Sequence, residues 1–122
     1  MSKYRSEKTV VDGITFDSRK EACYYGYLKQ LEKEGKISDL RLQVPYVIAD
    51  PVWVEVDKRL KTKTKKVRYQ VWKGIKYIAD FVYIDNETGR EEVVDVKGFR
   101  TAQYRHKKRL MHNIKGIEII EV

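Results

Sequence analysis

The chain has 122 residues, 42% of them hydrophobic, and a formal net charge of +8, which fits one domain with a core of its own. The single cysteine, Cys23, excludes an internal disulfide framework and a cysteine-built zinc site, and it favours a reducing cytosol. No stretch is apolar enough for a signal peptide or a bilayer span, so we expect a soluble cytoplasmic protein with no membrane partner.

A first helix is predicted at residues 18–34, where Ser18 suits the N-cap and Gly35 supplies a left-handed stop. Glu21 stands three residues before the start of an apolar stripe at helical spacing and so extends that core-facing stripe by one turn. Its distance from Ser18 also fits a capping box, and the two roles are compatible, so both remain open. The stripe consists of Tyr24, Tyr27, Leu28 and Leu31.

Alternating apolar residues then predict extended structure at 40–44 and 52–56. Proline cannot donate to a central ladder, so Pro45 and Pro51 favour edge or bulge positions. Gln43 is a polar residue between strand apolars, which makes it a candidate for the lining of a site.

The segment 58–68 holds seven Lys or Arg and no acid, so it carries most of the excess positive charge. It is predicted to form a mobile hairpin tip or arm between strands that end near Val56 and start near Val67. A solvated charge run is the alternative, but this density favours contact with nucleic-acid phosphates. The residues concerned are Lys58, Arg59, Lys61, Lys63, Lys65, Lys66 and Arg68.

A β-hairpin is predicted next, with strands at about 76–85 and 90–97 joined by the turn formers of 86–89. A four-residue loop pairs Asp85 with Arg90. A slip of one residue would turn every side chain to the other face, and the apolar patterning of both strands resists it.

This register places Asp80 directly opposite Asp95. Side chains alternate with period two along a strand, so Lys97 points to the same side as Asp95. The two aspartates and the lysine are therefore predicted to meet at one spot. An ordinary ion pair of Asp95 and Lys97 on a solvated face is the alternative.

A second helix is predicted from Thr101 to Gly116, followed by a strand at the chain end. Its core-facing side is predicted to hold Gln103, Lys107, Leu110 and Ile114, of which the first two are candidates to reach a phosphate. A second basic patch beside the proposed site comprises Arg100, Arg105, Lys108 and Arg109. The order helix, strands, helix, strand predicts an α/β (α+β) fold with a mixed sheet flanked by two helices.

Three carboxylates and one ammonium meet in this arrangement, namely those of Glu21, Asp80, Asp95 and Lys97. Carboxylates this close repel one another unless a proton or a cation neutralises them. Mg²⁺, or Mn²⁺ in its place, prefers carboxylate, water and phosphate oxygens. We expect Asp80 and Asp95 to hold the metal, Glu21 to complete the site directly or through water, and Lys97 to serve the attacking water or the transition state.

These residues resemble the PD-(D/E)xK nuclease superfamily. The phrase "IADF" with Asp80 is similar to the first aspartate of that motif, "VDVKG" with Asp95 and Lys97 to its (D/E)xK element, and "SRKEA" with Glu21 to its helical acid. The phrases "FDSRKEA", "YIADFVY" and "VDVKGFRT" resemble small phage-encoded nucleases related to Holliday junction resolvases. The likeness covers residues 14–46 and 76–122, and the basic segment lies outside it.

The resemblance implies a restriction-endonuclease-like core, a metal-dependent endonuclease acting on DNA that is often branched, and the cytoplasm of a bacterial host. It also implies a homodimer, because cutting a junction usually requires two active sites. Nothing in the sequence resembles a base-reading helix, so backbone shape is the expected basis of recognition. A binding module that holds nucleic acid on the same fold and basic surface without cutting it is the alternative function.

Overall fold

The computed structural model describes residues 7–97 and 100–122, so Gly98 and Phe99 of the "VDVKGFRT" phrase lie outside the described residues. The elements are, in chain order, β1 Thr9–Val11, β2 Ile14–Phe16, α1 Arg19–Lys33, β3 Ile37–Ala49, β4 Val52–Arg59, β5 Thr64–Trp72, β6 Ile75–Asp85, β7 Glu91–Asp95, α2 Ala102–Leu110 and β8 Ile119–Glu121. A single π turn, Met111–Lys115, prolongs α2.

The main sheet has the strand order β3-β6-β7-β8. Its first three strands are antiparallel and β8 runs parallel to β7, so the predicted mixed sheet is confirmed. The strand β3 lies at the edge, which is where the missing amide of Pro45 is tolerated, as predicted. One helix packs on each face of this sheet.

The helix α1 begins where Ser18 caps it, because the Ser18 hydroxyl accepts the amide of Glu21 at 3.1 Å. The predicted apolar stripe is partly wrong, since Tyr27 is 54% exposed and Tyr25 is buried in its place. Contacts with the β1–β2 hairpin account for this orientation of α1. The ring centroid of Tyr25 lies 5.1 Å from that of Phe16, and the Tyr25 hydroxyl donates to the carboxylate of Asp12.

The helix α2 starts at the predicted cap, where the Thr101 hydroxyl accepts the amide of Tyr104 at 3.1 Å. Its buried side chains are Tyr104 and Met111, so the predicted core positions of Gln103 and Ile114 are wrong. The π turn changes the residue period and so affects the position of Ile114, whereas Gln103 lies before it and was assigned to the wrong face by one residue. Among the described residues, neither helix is long and apolar enough to cross a membrane.

The two helices cover different parts of the core. The side chains of Leu28, Phe81 and Val94 pack with α1, whereas those of Val82 and Val93 pack with α2. This alternation is the predicted one for the β6–β7 hairpin.

The alternation of side chains between the two faces of the sheet is interrupted at one position in β3 and at the paired position in β6. In β3, Leu42 packs with the α1 cluster and Val44 with the α2 cluster, although both have the same parity. In β6, Phe81 and Ala79 are divided in the same way. The residue between Leu42 and Val44 is Gln43, whose φ of 51° is left-handed, and this breaks the alternation.

The strands β4 and β5 with their turn form a separate two-stranded ribbon, here called the arm (residues 52–72). A hairpin in the basic region is thus confirmed, but its strands extend further than predicted and leave residues 60–63 as the tip. The arm leaves the sheet at a tight contact, because a Cβ on Gly74 would lie only 2.9 Å from Cδ of Pro51.

Candidate active site

The β6–β7 register is the predicted one. Phe81 pairs with Val94 and Ile84 with Glu91, and the amide of Asp85 donates to the carbonyl of Arg90 at 2.9 Å. Each of these pairs follows from the four-residue loop at 86–89. Continued by one residue, the register brings Asp80 opposite Asp95.

Asp95 is the most deeply buried charged residue among those described, with 1% of its surface exposed. Its Oδ2 accepts a hydrogen bond from the hydroxyl of Tyr77. Its Oδ1 lies 3.1 Å from Nζ of Lys97, but this contact lacks hydrogen-bond alignment, and no other described residue bonds to that oxygen. A carboxylate oxygen is thus held in the interior with part of its bonding capacity unused, which is costly unless a proton or a further cation is bound there.

Lys97 is positioned by two contacts. Its ammonium faces Asp95 and lies 4.4 Å above the ring centroid of Tyr104, a cation–π geometry. Its side chain keeps 29% of its surface in solvent, so the charge can reach a ligand without leaving the sheet. The solvated-face alternative for the pair is wrong on the Asp95 side, because that carboxylate is buried.

Asp80 is held from both neighbouring strands. Its Oδ2 accepts the amide of Val96 at 2.9 Å, and its Oδ1 accepts the side-chain amide of Gln43 at 3.3 Å. Burial, followed by the charges of Asp95 and Glu21, raises the pKa of Asp80 to about 7. The amide of Val96 acts in the opposite direction. A carboxyl with a pKa this far above its ordinary value marks a place where negative charge is crowded.

Glu21 joins this cluster from the first turn of α1. It is 8% exposed, and burial, with the charges of Asp17 and Asp95 adding to it, raises its pKa. Its amide is the one that Ser18 caps, so the residue takes part in helix initiation and its carboxyl acts on Asp80 as well. Only half of the predicted capping box is seen, because the described hydrogen bonds do not include a return bond from the Ser18 amide to the Glu21 carboxyl.

The donor set suits a magnesium site that is rich in water. Within residues 7–97 and 100–122, no three His, Cys, Asp or Glu side chains stand close enough to form a complete set of metal ligands. Mg²⁺ commonly uses only one or two carboxylates and takes its other oxygens from water and phosphate. Asp80 and Asp95 fit that pattern, and the unused Oδ1 of Asp95 is the observation that favours it.

A cavity of about 260 Å³ opens beside Lys97. Gln103 and Lys107 line it, as their predicted role requires, and Lys76 adds a third ammonium that the sequence did not single out. Carboxylates are absent from this described lining, so the cavity favours an anion. The floor consists of Tyr77, Ile78 and Tyr104.

The second basic patch is partly neutralised. Arg100 and Lys108 both pair with Glu121, and hydrogen bonds from Lys108 and Arg100 hold the pKa of that carboxyl at about 2 despite some burial. These two cations are therefore weaker candidates for phosphate contact than predicted. Arg105 and Arg109 are exposed and line the same shallow groove.

The predicted cations of the arm are all exposed, but they differ in setting. Lys66 lies opposite Asp57, and Arg68 lies opposite Glu55, so each has a counter-charge across the ribbon. The others lack an opposed acid among the described residues: Lys58 and Lys65 face each other, Arg59 pairs with Thr64, and Lys61 and Lys63 lie in the turn.

Two tyrosines of the site were missed in the sequence. Strict alternation assigns Tyr77 to the face of Phe81, away from Asp95, and the change of sides at the Gln43 row reverses this. Tyr104 was not predicted to take part in the site, but it is 7% exposed and its ring lies beneath the ammonium of Lys97. An aromatic residue three positions before an aspartate in a strand carries no distinctive signal.

The chain was compared with known families, curated proteins and solved structures. A family model described as "Protein of unknown function (DUF1064)" matches residues 1–119. No curated protein and no solved structure gives a significant match. Because the family model spans nearly the whole sequence, the chain belongs to the DUF1064 family.

Proposed function

We propose that this protein is a metal-dependent DNA endonuclease with a restriction-endonuclease-like core. The observation that carries the proposal is the buried Asp95, whose Oδ1 has bonding capacity to spare next to Asp80 and Lys97. Two carboxylates on adjoining strands with a lysine beside them are groups suited to metal-assisted phosphodiester hydrolysis. The resemblance to the PD-(D/E)xK motif supports the same reading.

A divalent cation bound here would lower the pKa of a coordinated water and neutralise phosphate oxygens. Asp80 and Asp95 would hold it, with Glu21 contributing directly or through a water. The amides of Val96 and Gln43 fix the two oxygens of Asp80, and the hydroxyl of Tyr77 fixes one oxygen of Asp95. These contacts keep the carboxylates oriented before substrate arrives.

Lys97 would place a positive charge where the attacked phosphate becomes more negative. Its position over Tyr104 limits its movement, so little reorganisation is needed at that moment. Lys76, Gln103 and Lys107 would hold the neighbouring phosphate in the adjoining cavity. Branched DNA as substrate and a homodimer as the working unit rest on the resemblance to Holliday junction resolvases.

The test is cleavage of supercoiled plasmid, linear duplex and four-way junction DNA in Mg²⁺, Mn²⁺ or EDTA. We expect metal-dependent cleavage by the wild type and a loss of at least a hundredfold in Asp95→Asn and Lys97→Ala. Glu87→Gln, in the exposed turn of the hairpin, is the matched control and keeps full activity. Cleavage that survives in Asp95→Asn, or persists in EDTA, would remove the proposal.

A non-catalytic nucleic-acid-binding protein is the second candidate. The exposed cations of the arm favour it, because they need no chemistry at the aspartates to bind phosphates. DNA binding by the wild type without cleavage in any metal on any of the three substrates would support this candidate.

A further inference from the structure

The arm holds large aromatic rings in solvent. Trp53, Tyr69 and Trp72 are 44%, 47% and 69% exposed, and every residue of β4 is exposed. An isolated two-stranded ribbon is at best marginally stable in water, so rings that remain largely exposed give it little support. Aromatic surface displayed in this way marks an interaction site.

The rings and the cations occupy different parts of the ribbon. Trp72 pairs with Val52 and Trp53 with Gln70 near the base, whereas Lys58 and Lys65 face each other toward the tip. The guanidinium of Arg68 lies 4.8 Å above the ring centroid of Trp53, which joins the two parts. A ligand lying along the arm therefore meets stacking surfaces at one end and positive charge at the other.

The positive charge of the arm distinguishes among the molecules that could bind to it. A second copy of the chain would bring another set of uncompensated lysines against the first, and like charges repel. A DNA duplex matches the lysines, but its base faces are stacked and closed to Tyr69 and Trp72. An unpaired strand offers bases for stacking and phosphates for pairing at the same time.

We propose that the arm binds an unpaired DNA strand, with bases stacked on Tyr69 and Trp72, which the pairs Val54–Tyr69 and Val52–Trp72 place on one face of the ribbon, and phosphates paired with Lys58 and Lys65 toward the tip. The choice of DNA as the polymer rests on the proposed function. Five residues of β6 separate Ile75, beside the base of the arm, from Asp80, which is about 17 Å of extended strand. The favoured substrate is thus DNA with an unpaired stretch a few nucleotides from the cleaved bond.

The chain contains two tryptophans, and both lie in the arm, so its tryptophan fluorescence, excited selectively over that of the nine tyrosines, reports on the arm alone. The experiment titrates the full-length protein in EDTA with a 15-nucleotide oligothymidine and, separately, with a blunt 15-base-pair duplex. We expect saturable quenching of tryptophan emission by the single strand, and less than a third of that quenching by the duplex at saturation. Equal quenching by both, or binding of the single strand without quenching, overturns the inference.

Variants of Trp72 distinguish the contribution of the aromatic rings to binding from that of the charges. Measured by anisotropy of labelled DNA, Trp72→Ala should weaken single-strand binding about tenfold and duplex binding less than twofold, since one stacked base is worth about that factor. Trp72→Phe should retain most of the affinity, and Val10→Ala, an exposed apolar residue outside the arm, should change nothing. Equal losses on the two DNA forms, or an emission spectrum that shifts with protein concentration alone, would contradict the inference, the latter indicating a second copy.

Failure here is distinguishable from failure of the proposed function. Binding in EDTA requires no metal and no cleavage, whereas the plasmid assay requires both. Metal-dependent cleavage without stacking removes the inference and leaves the endonuclease. Stacking without cleavage leaves the arm as a single-strand binding surface and removes the endonuclease.

Discussion

The folded protein disfavours the ionised form of the Asp80 carboxyl at neutral pH. Its pKa is raised from an ordinary 3.8 to about 7, with burial as the first cause. Below about pH 4 the folded and unfolded chains both hold this proton, so it has no effect on stability. As pH rises through the interval up to 7, the unfolded chain releases the proton and the folded chain keeps it, so folding becomes less favourable.

Asp80→Asn should therefore stabilise the metal-free protein at pH 8 and have little effect at pH 4. An asparagine can still accept the amide of Val96, so we expect a gain of about 1 kcal/mol, or roughly 4 °C in melting temperature. Thermal unfolding in EDTA at the two pH values measures it, with the exposed Asp50→Asn as control. A gain of equal size at both pH values would show that charge crowding is not the cause.

Tyr77 should contribute to stability through its hydroxyl. Tyr77→Phe leaves Oδ2 of the buried Asp95 without its donor, and a hydrogen bond to a charged group is worth about 1.5–3 kcal/mol. Denaturant unfolding should show a loss of that order, against no measurable change for Tyr27→Phe, whose ring is exposed. A Tyr77→Phe protein as stable as the wild type would mean that the hydroxyl contact is not formed in solution.

At the residue scale, sequence reasoning succeeded where a strand's period of two applies without interruption. Asp95 and Lys97 share a side because the backbone stays extended past the end of β7, where the Lys97 amide donates to the carbonyl of Val122. The prediction failed at Tyr77. The left-handed backbone of Gln43, in the adjacent strand β3, interrupts the alternation and so changes the face of the sheet to which nearby side chains point. Glutamine has no special preference for that conformation, so the sequence contained no warning of it.

At the scale of elements, the tip of the arm should control the salt dependence of DNA binding. Replacing residues 58–65 with Asn-Gly keeps Asp57 opposite Lys66 as the closing pair and allows a two-residue turn. The change removes five cations, so the slope of log affinity against log salt for duplex DNA should become shallower by up to about 4.5. Filter binding or anisotropy across a salt series measures the slope.

This replacement should leave divalent-cation binding intact, because none of the residues removed approaches the aspartates. Thermal shift on addition of Mn²⁺ is the accompanying measurement. An unchanged affinity and slope across the salt series would mean that the tip does not contact DNA.

The elements themselves were predictable to different degrees. The β6–β7 register could be obtained because a four-residue turn and two apolar patterns agree on a single pairing. The buried face of α2 could not, because the predicted face is offset by one residue, at Gln103 instead of Tyr104, and the π turn at 111–115 then interrupts the helical period. For α1, the missing information was the β1–β2 hairpin, a tertiary contact that local spacing does not contain.

At the scale of the whole molecule, the mixed sheet with a helix on each face was predictable from the order of elements. The projection of the arm was not, because alternating apolar residues ordinarily indicate a strand packed on a core. In β4 the apolar side chains remain exposed on a ribbon of their own. Alternation therefore predicts the strand, but it does not show whether another element packs against the apolar face of that strand.

The folded protein as a whole should be stabilised by divalent cations. A ligand that binds only the native state adds about 2.7 kcal/mol at a concentration one hundred times its dissociation constant. We expect Mg²⁺ and Mn²⁺ to raise the melting temperature at pH 8 by several degrees and K⁺ at equal ionic strength to have no such effect. Asp95→Asn should abolish the increase, and an equal increase in that variant would place the cation elsewhere.

The close contact of Gly74 with Pro51 governs the reach of the arm. Eight residues of β4 extend about 26 Å, so a rotation of 10° at the base would displace the tip by about 4–5 Å. A methyl group at residue 74 has no space beside Pro51. We therefore expect Gly74→Ala to shift the backbone at the base and to change the direction of the arm. A single backbone position at the base of the arm would thus set which phosphates the lysines of the tip could reach.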